Sequence, residues 1–398
     1  MRRYTAAIER GNIMSPRKPF LVLGAGLMGK AIAFDLANSD PKFTVTLADI
    51  DQVRARQTAA AIDAARVRPR GLDVRDHAEL VRLMSEHAVV VSAVTFHLNY
   101  LLTKAALEAG CHFCDLGHDD GIVEQQLSEA AAAERANITA VVNCGLAPGL
   151  ADILAMHAFR QFDSVDSLQL RVGGLPQHPH PPLNYQLVFS AEGLVEEYSL
   201  RTTILRNGKI QMIEPLTEVD SLSFPPPFEN LEAFHTGGGA SRLPQLLEQK
   251  VQSLEYKTIR YTGHCEKIKP LFDVGFADSS PVALGSNLVT MRELFLELLK
   301  KRLTFNEPDV VLLLVTARGR KNGEEKRLSY RIIDLFDEEN SITAMMRTTA
   351  YPTSIIAQMM LDGTISKRGV FAAEEIVPAE PLIAELKRRN VNVETHYD

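Results

Sequence analysis

The chain has 398 residues, 45% hydrophobic and 23% charged, with 24 Gly and 20 Pro. That length suggests two or three domains, and the composition is that of a water-soluble globular protein. The formal net charge of −7 argues against a nucleic-acid binder, which presents a basic face. No apolar run reaches the ~18–20 residues of a membrane span.

Residues 1–18 contain Arg2, Arg3 and Arg10 but no apolar stretch. They read as a frayed tail and not as a secretory signal, with Met14 as a second possible start. Next, "PFLVLGAGLMGKAIAFDLA" runs from strand through a glycine turn into a helix. Phe20–Leu23 are continuously apolar, as a strand covered on both faces should be. Gly24, Gly26 and Gly29 form G-x-G-x-x-G, the turn that brings backbone and a helix N-terminus against a pyrophosphate. Leu27 and Met28 lie inside it. "FTVTLADI" follows as a second strand, and Asp49 stands 20 residues after Gly29, where an acid receives the adenine-ribose hydroxyls. A carboxylate there repels a 2′-phosphate, and Ile50 and Asp51 follow it without a basic residue. NAD is therefore expected in preference to NADP. Asp73 and Val74 are expected beside the adenine.

Strands at 88–94, "HFCDLG" and "ITAVVNC" alternate with helices at "LLTKAALEAG" and "IVEQQLSEAAAAERA". This alternation predicts an α/β fold with a doubly wound parallel sheet over residues 19–150. Ligands of such a sheet lie at its C-terminal strand ends. Ala93, Val94, Leu146 and Pro148 are placed there, around the nicotinamide. Of four cysteines, Cys111 and Cys114 lie in "CHFCDL", which reads as a short buried strand. Residues three apart on a strand face opposite ways, so the pair reads as packing. No metal site is expected, and so few cysteines fit a reducing cytoplasm.

From 151 to 343 short β-type runs dominate, among them "SLQLRVGG", "LNYQLVFS", "TTILRNGKIQMI" and "LEYKTIRYTG". The Asn-Gly pairs in "RNGK" and "RKNGEE" suit hairpin turns. A second, α+β domain with a mixed or antiparallel sheet is predicted, for substrate binding and subunit contact. Period-2 alternation puts Tyr256, Thr258 and Arg260 on one strand face and Lys257, Ile259 and Tyr261 on the other. The glycine run in "FHTGGGASRL" follows a proline-rich connector and not a buried strand, so it reads as a substrate-side wall, with His235, Thr236 and Arg242 as its polar contacts. Residues 344–398 return to helix, where Ile355, Ile356, Met359 and Met360 form a core stripe at helical spacing.

Six ordered motifs, including "FLVLGAGLMGKAIAFDLA", "CGLAPGLADILA", "LEAFHTGGGASRL" and "TTAYPTSIIAQMMLDGTISKRGV", resemble the saccharopine dehydrogenase-like family, and within it the bacterial lysine 6-dehydrogenases. The resemblance covers nearly all of the chain beyond the tail. It implies a Rossmann domain completed by the C-terminal segment, and NAD-dependent oxidative deamination of the ε-amine of L-lysine. The alternatives are a saccharopine reductase and a catalytically silent NAD-binding regulator. Saccharopine reductases carry an arginine where this chain has Glu192 and lack a counterpart of His264, which points to lysine. The lysine enzymes carry Gly-Gly-His where "CDLGHDDG" stands here, leaving His118 and Asp119 without an assigned role.

Hydride leaves a neutral amine, so protons must be handled. His264 and His235 are the candidates, because histidine titrates nearest neutrality. Arg260 suits a substrate carboxylate and Glu192 an ammonium; Tyr185 and Thr236 complete the expected substrate contacts, with Lys257 and Tyr261 as lesser candidates. The expected partners are a small amino-acid substrate and further copies of the chain, without nucleic acid or membrane.

Overall fold

The computed structural model describes residues 18–117, 119–285 and 287–398. The expected tail, apart from Lys18, and His118 lie outside the described residues.

The first six strands are β1 (Lys18–Leu23), β2 (Val45–Asp49), β3 (Val67–Gly71), β4 (His87–Ser92), β5 (His112–Asp115) and β6 (Thr139–Val142). The next ten are β7 (Ser164–Pro176), β8 (Thr202–Arg206), β9 (Lys209–Ile213), β10 (Asp220–Leu222), β11 (Leu231–Phe234), β12 (Val251–Tyr261), β13 (Pro281–Leu284), β14 (Asn287–Thr290), β15 (Asp309–Lys321) and β16 (Glu324–Leu335). Two short strands, β17 (Gly369–Ala372) and β18 (Glu394–Tyr397), close the chain.

One sheet is wholly parallel, in the order β17-β6-β5-β4-β1-β2-β3. The order reverses between β1 and β4, which opens a ligand crevice at their C-terminal ends. Its seventh strand comes from the far end of the chain: β17 pairs with β6. The helix Ala344–Asp362 brings the chain back, burying Ile355, Ile356, Met359 and Met360 in the core it shares with the first helix, Leu27–Ser39. Its start is capped by Thr343 and by Asp309 of β15, whose carboxylate accepts from Ala344 N (2.7 Å) and Met345 N (2.9 Å). The helical run expected after β5 is divided into Asp120–Ser128 and Ala130–Arg135, because Glu129 leaves the helical ψ range (φ −84°, ψ 5°).

The second sheet is mixed, in the order β10-β11-β12-β7-β15-β16-β18, with β8 also paired to β12 and β9 paired to β8. Both Asn-Gly turns form as expected. Asn207 and Gly208 join β8 to β9, and Asn322 and Gly323 join β15 to β16, all four with positive φ. "LNYQLVFS" is not a strand. Asn184 takes φ +52°, which ends extension, and Leu183 and Tyr185 instead bury themselves in the core between this sheet and the helix Ala191–Glu197. No described helix is long and apolar enough to cross a membrane.

Candidate active site

A cleft of about 880 Å³ opens between the strand ends of the parallel sheet and one face of the mixed sheet. Its first wall is built by the glycine turn. Gly24 has φ +101°, and a Cβ there would meet Ala93 O at 2.6 Å; a Cβ on Gly29 would lie 1.8 Å from Gly24 O. The loop and the following helix can thus close onto β4 only without side chains. A Cβ at Gly26 would meet nothing within 4 Å, so this residue faces open space in the cleft, as a pyrophosphate cradle requires. Leu27, Met28, Ala93, Val94, Leu146 and Pro148 line the same cleft.

The adenine end continues outside that lining, along the ends of β2 and β3. Asp49 Oδ2 accepts from Ala25 N (2.7 Å) and Oδ1 from Asp51 N (2.8 Å). The acid therefore braces the glycine turn while remaining part-exposed. Ile50 is 65% exposed beside it. Asp73 and Val74 follow β3, and hydrogen bonding and charge from Arg75 hold the Asp73 carboxyl down at about 2. These residues fit a nicotinamide dinucleotide.

The opposite wall carries Tyr256, Thr258 and Arg260 of β12 on one face, as the alternation requires, together with Glu192, Glu196 and Glu197 of the helix Ala191–Glu197. Lys257 points to the other face, where it donates to Asp220 (2.7 Å) and Glu218 O (2.7 Å). Arg260 is 2% exposed. Its Nε donates to Tyr198 Oη (2.7 Å), its Nη1 to Ile259 O (2.8 Å), and its guanidinium lies 4.7 Å from the Tyr185 ring centre. Glu192 is half-exposed, with Lys300 Nζ at 2.9 Å, and that hydrogen bond holds its carboxyl below the ordinary range. Arg292 stands 3.6 Å from Glu196.

Five expected contacts stand away from the cleft surface. His264 is buried behind Arg260: its Nδ1 is 2.9 Å from Leu183 O and its Nε2 3.0 Å from Tyr198 Oη. The carbonyl can only accept, so Nδ1 carries the proton and Nε2 receives the Tyr198 hydroxyl. Burial and the Arg260 charge push its pKa down to about 3. It is a link in the chain Arg260–Tyr198–His264–Leu183, which orients Arg260, and it offers no proton to the cleft. His235 lies across the sheet from the cleft, with Nδ1 on Tyr256 O (3.1 Å) and Nε2 at 3.2 Å from Glu218. Burial and Lys257 lower its pKa. Possible donor atoms of Glu218, His235 and Glu255 fall within 4.8 Å of one another, but Arg206 already pairs with Glu218, and Arg171 with Glu255. Thr236 is buried one bond behind the wall, its hydroxyl 2.7 Å from that of Thr258. Tyr185 contributes its ring under Arg260, and Tyr261 spends its hydroxyl on Pro176 O (2.9 Å).

The glycine run at 237–239 does not cradle a ligand in the cleft. Leu200 and the Tyr256 ring press so closely on Gly237 and Gly239 that a Cβ would overlap them at 2.6 and 2.2 Å. The run delivers Ser241 to Asn143 (2.8 Å) and Arg242 to Glu124 (2.7 Å), joining the two sheets' domains. Glu196, Glu197 and His97, all in the cleft lining, escaped the sequence reading. The i,i+4 spacing of Glu192 and Glu196 on one helix was the signal that could have found the acidic wall.

The saccharopine dehydrogenase NADP binding domain matches residues 20–141, and the saccharopine dehydrogenase C-terminal domain matches residues 145–391. Saccharopine dehydrogenase [NADP(+), L-glutamate-forming] of Schizosaccharomyces pombe is 24% identical over 81% of this chain and 87% of its own length. Carboxyaminopropylagmatine dehydrogenase of Synechocystis is 23% identical over 92% of this chain and 94% of its own. In fold, the chain is similar to saccharopine dehydrogenase (L-Glu forming) of Saccharomyces cerevisiae, with a TM-score of 0.79 at 18% identity, covering 96% of this chain and 100% of that one. With two matched domains, a nucleotide turn and a facing polar wall, the chain belongs to the saccharopine dehydrogenase family of amino-acid oxidoreductases.

Proposed function

We propose that the protein is an NAD-dependent dehydrogenase that oxidatively deaminates the ε-amine of L-lysine. The observation that carries this is the charge inventory of the cleft. Arg260 is the one lysine or arginine among the described lining residues, against the three acids Glu192, Glu196 and Glu197. Lysine brings two ammonium groups and one carboxylate, which that set complements. Saccharopine brings three carboxylates, and two of them would meet acids with no cation in the lining. Lys300 and Arg292 offset part of the acidity at the rim, without adding a cation to the lining.

NAD is supported by Asp49 and Asp51, two carboxylates where a 2′-phosphate would sit. Arg54, whose guanidinium stands 3.7 Å from Asp51, is engaged by that carboxylate. The relatives named above with NADP do not share a sequence close enough to transfer that preference.

A bound nicotinamide supplies the hydride acceptor. The chain's own part is placement and proton control. Arg260 anchors the carboxylate, the acids hold ammonium, and Ala93, Val94 and Leu146 leave room for the reacting carbon. Free lysine has an ε-pKa of ~10.4, and neither histidine expected to take its proton reaches the cleft. The reaction therefore runs best at alkaline pH. The test is dinucleotide reduction at alkaline pH with L-lysine, saccharopine, ornithine and 1,5-diaminopentane. Turnover of lysine supports the proposal; turnover of saccharopine without lysine sinks it.

A further inference from the structure

We propose that Arg260 and Glu197 act as one clamp for the head group of an α-amino acid, Arg260 taking the α-carboxylate and Glu197 the α-ammonium. This rests on the reading of the cleft as an amino-acid site and specifies which end of the substrate is held where.

The two side chains come from different elements, β12 and the last residue of the helix Ala191–Glu197, and meet at the cleft wall. Arg260 Nη2 is 3.8 Å from Glu197 Oε2. That is beyond hydrogen-bond reach, yet close enough for the pair to set opposite charges side by side. An α-amino acid carries its ammonium and carboxylate on one carbon, at a similar spacing and with the signs reversed. Glu197 is also the one carboxylate within 4.0 Å of Arg260 among the described residues. The guanidinium donates hydrogen bonds to neutral oxygens of Tyr198 and Ile259. Arg260 is only 2% exposed, and a carboxylate docked on its fork adds the charge-assisted hydrogen bonds that Glu197 is too distant to make.

The clamp is held in place from behind. Tyr198 and His264 fix the Arg260 fork, and Gly237 N donates to Glu197 O (2.9 Å), pinning the end of the helix. Thr258 and Tyr256 continue from Arg260 along the same face, at roughly 6.6 Å per two residues. Tyr256 packs on the loop whose Ser241 receives a hydrogen bond from Asn143, at the end of β6. An extended four-methylene side chain held at Arg260 therefore runs toward the parallel sheet's strand ends, where a nicotinamide would be held. The substrate class is an α-amino acid with both head-group charges free and a reducing ω-amine four methylenes away.

The test uses ligands that lack an ε-amine, so it does not depend on oxidation. Calorimetric titration of the NAD-loaded protein compares L-norleucine, hexanoate and pentylamine. Norleucine is expected to bind about 100-fold more tightly than either single-charge ligand. Glu197→Gln should lose most of the norleucine affinity while leaving hexanoate unchanged. Arg260→Gln should lose norleucine while leaving pentylamine unchanged. Norleucine binding no tighter than hexanoate in the unaltered protein overturns the clamp, as does a Glu197→Gln loss shared equally by all three ligands. If Arg260→Gln does not fold, Glu197→Gln decides alone. A protein that binds norleucine selectively but does not oxidise lysine refutes the lysine reading and leaves the clamp standing.

Discussion

His264→Leu separates a positioning role from a proton-transfer role. The substitution removes the acceptor of the Tyr198 hydroxyl and the donor to Leu183 O, contacts of 3.0 and 2.9 Å in a site where His264 is 1% exposed. Each orphaned buried group costs ~1–3 kcal/mol, so about 2–6 kcal/mol of stability is lost at pH 7.5. The pH dependence has a defined sign. In the folded protein the imidazole stays neutral down to about 3, because burial and Arg260 oppose its charge. In the unfolded chain it takes a proton near 6.5. The unfolded state therefore binds more protons between these values, and the wild type loses stability as pH falls through that window. Two units below 6.5, at pH 4.5, the loss is about 3 kcal/mol. The variant lacks this limb, so urea unfolding should show a gap at pH 7.5 that largely closes at pH 4.5. His264→Gln, which can restore the Tyr198 acceptor, should recover part of it. Steady-state kinetics at alkaline pH should show a raised KM through a loosened Arg260, with kcat within about tenfold. A positioned acid or base contributes ~10²–10⁴. An unchanged unfolding curve with a kcat drop of that size would refute the reasoning and return His264 to proton transfer.

Three further outcomes follow from single residues. Asp49→Asn removes the charge that opposes a 2′-phosphate, and titration should show the NAD-to-NADP affinity ratio falling by about tenfold or more; an unchanged ratio places the selectivity elsewhere. Glu192→Arg should raise KM for lysine by roughly tenfold with the dissociation constant of NAD unchanged, because Glu192 faces the cleft opposite the nucleotide turn. Asp115 is fully buried, and desolvation lifts its carboxyl to about 6 against bonds from Gln126 and Gly117. The folded state then holds its proton more tightly than the unfolded chain between about 4 and 6, so stability falls as pH rises through that range; Asp115→Asn should flatten that slope in urea unfolding.

The parts legible in the sequence are those set by local chemistry. G-x-G-x-x-G specifies its turn because close backbone approaches at Gly24 and Gly29 exclude a Cβ while Gly26 faces open space, and the two Asn-Gly pairs specify their hairpins by positive φ at both positions. Strand alternation separated Arg260 from Lys257 correctly, since a strand has only two faces. The rest depends on long-range packing. "GVFA" is too short to announce itself as the seventh strand, and it is one because it pairs with β6 across more than two hundred residues of chain. "LNYQLVFS" has strand-like residues, but its core contacts and Asn184 hold it as a loop. His264 and His235 have the residue type of a proton carrier, and which side of a sheet or an arginine they stand on is not written in their neighbours.

The central claim is tested most directly by the fate of the hydrogens on the ε-carbon. The protein is incubated with NAD and L-lysine deuterated at Cε, and the reduced dinucleotide is analysed by mass spectrometry. The account predicts one deuterium in the dinucleotide and none from lysine deuterated at Cα. Deuterium arriving from Cα, or reduction by saccharopine with none by lysine, would contradict it.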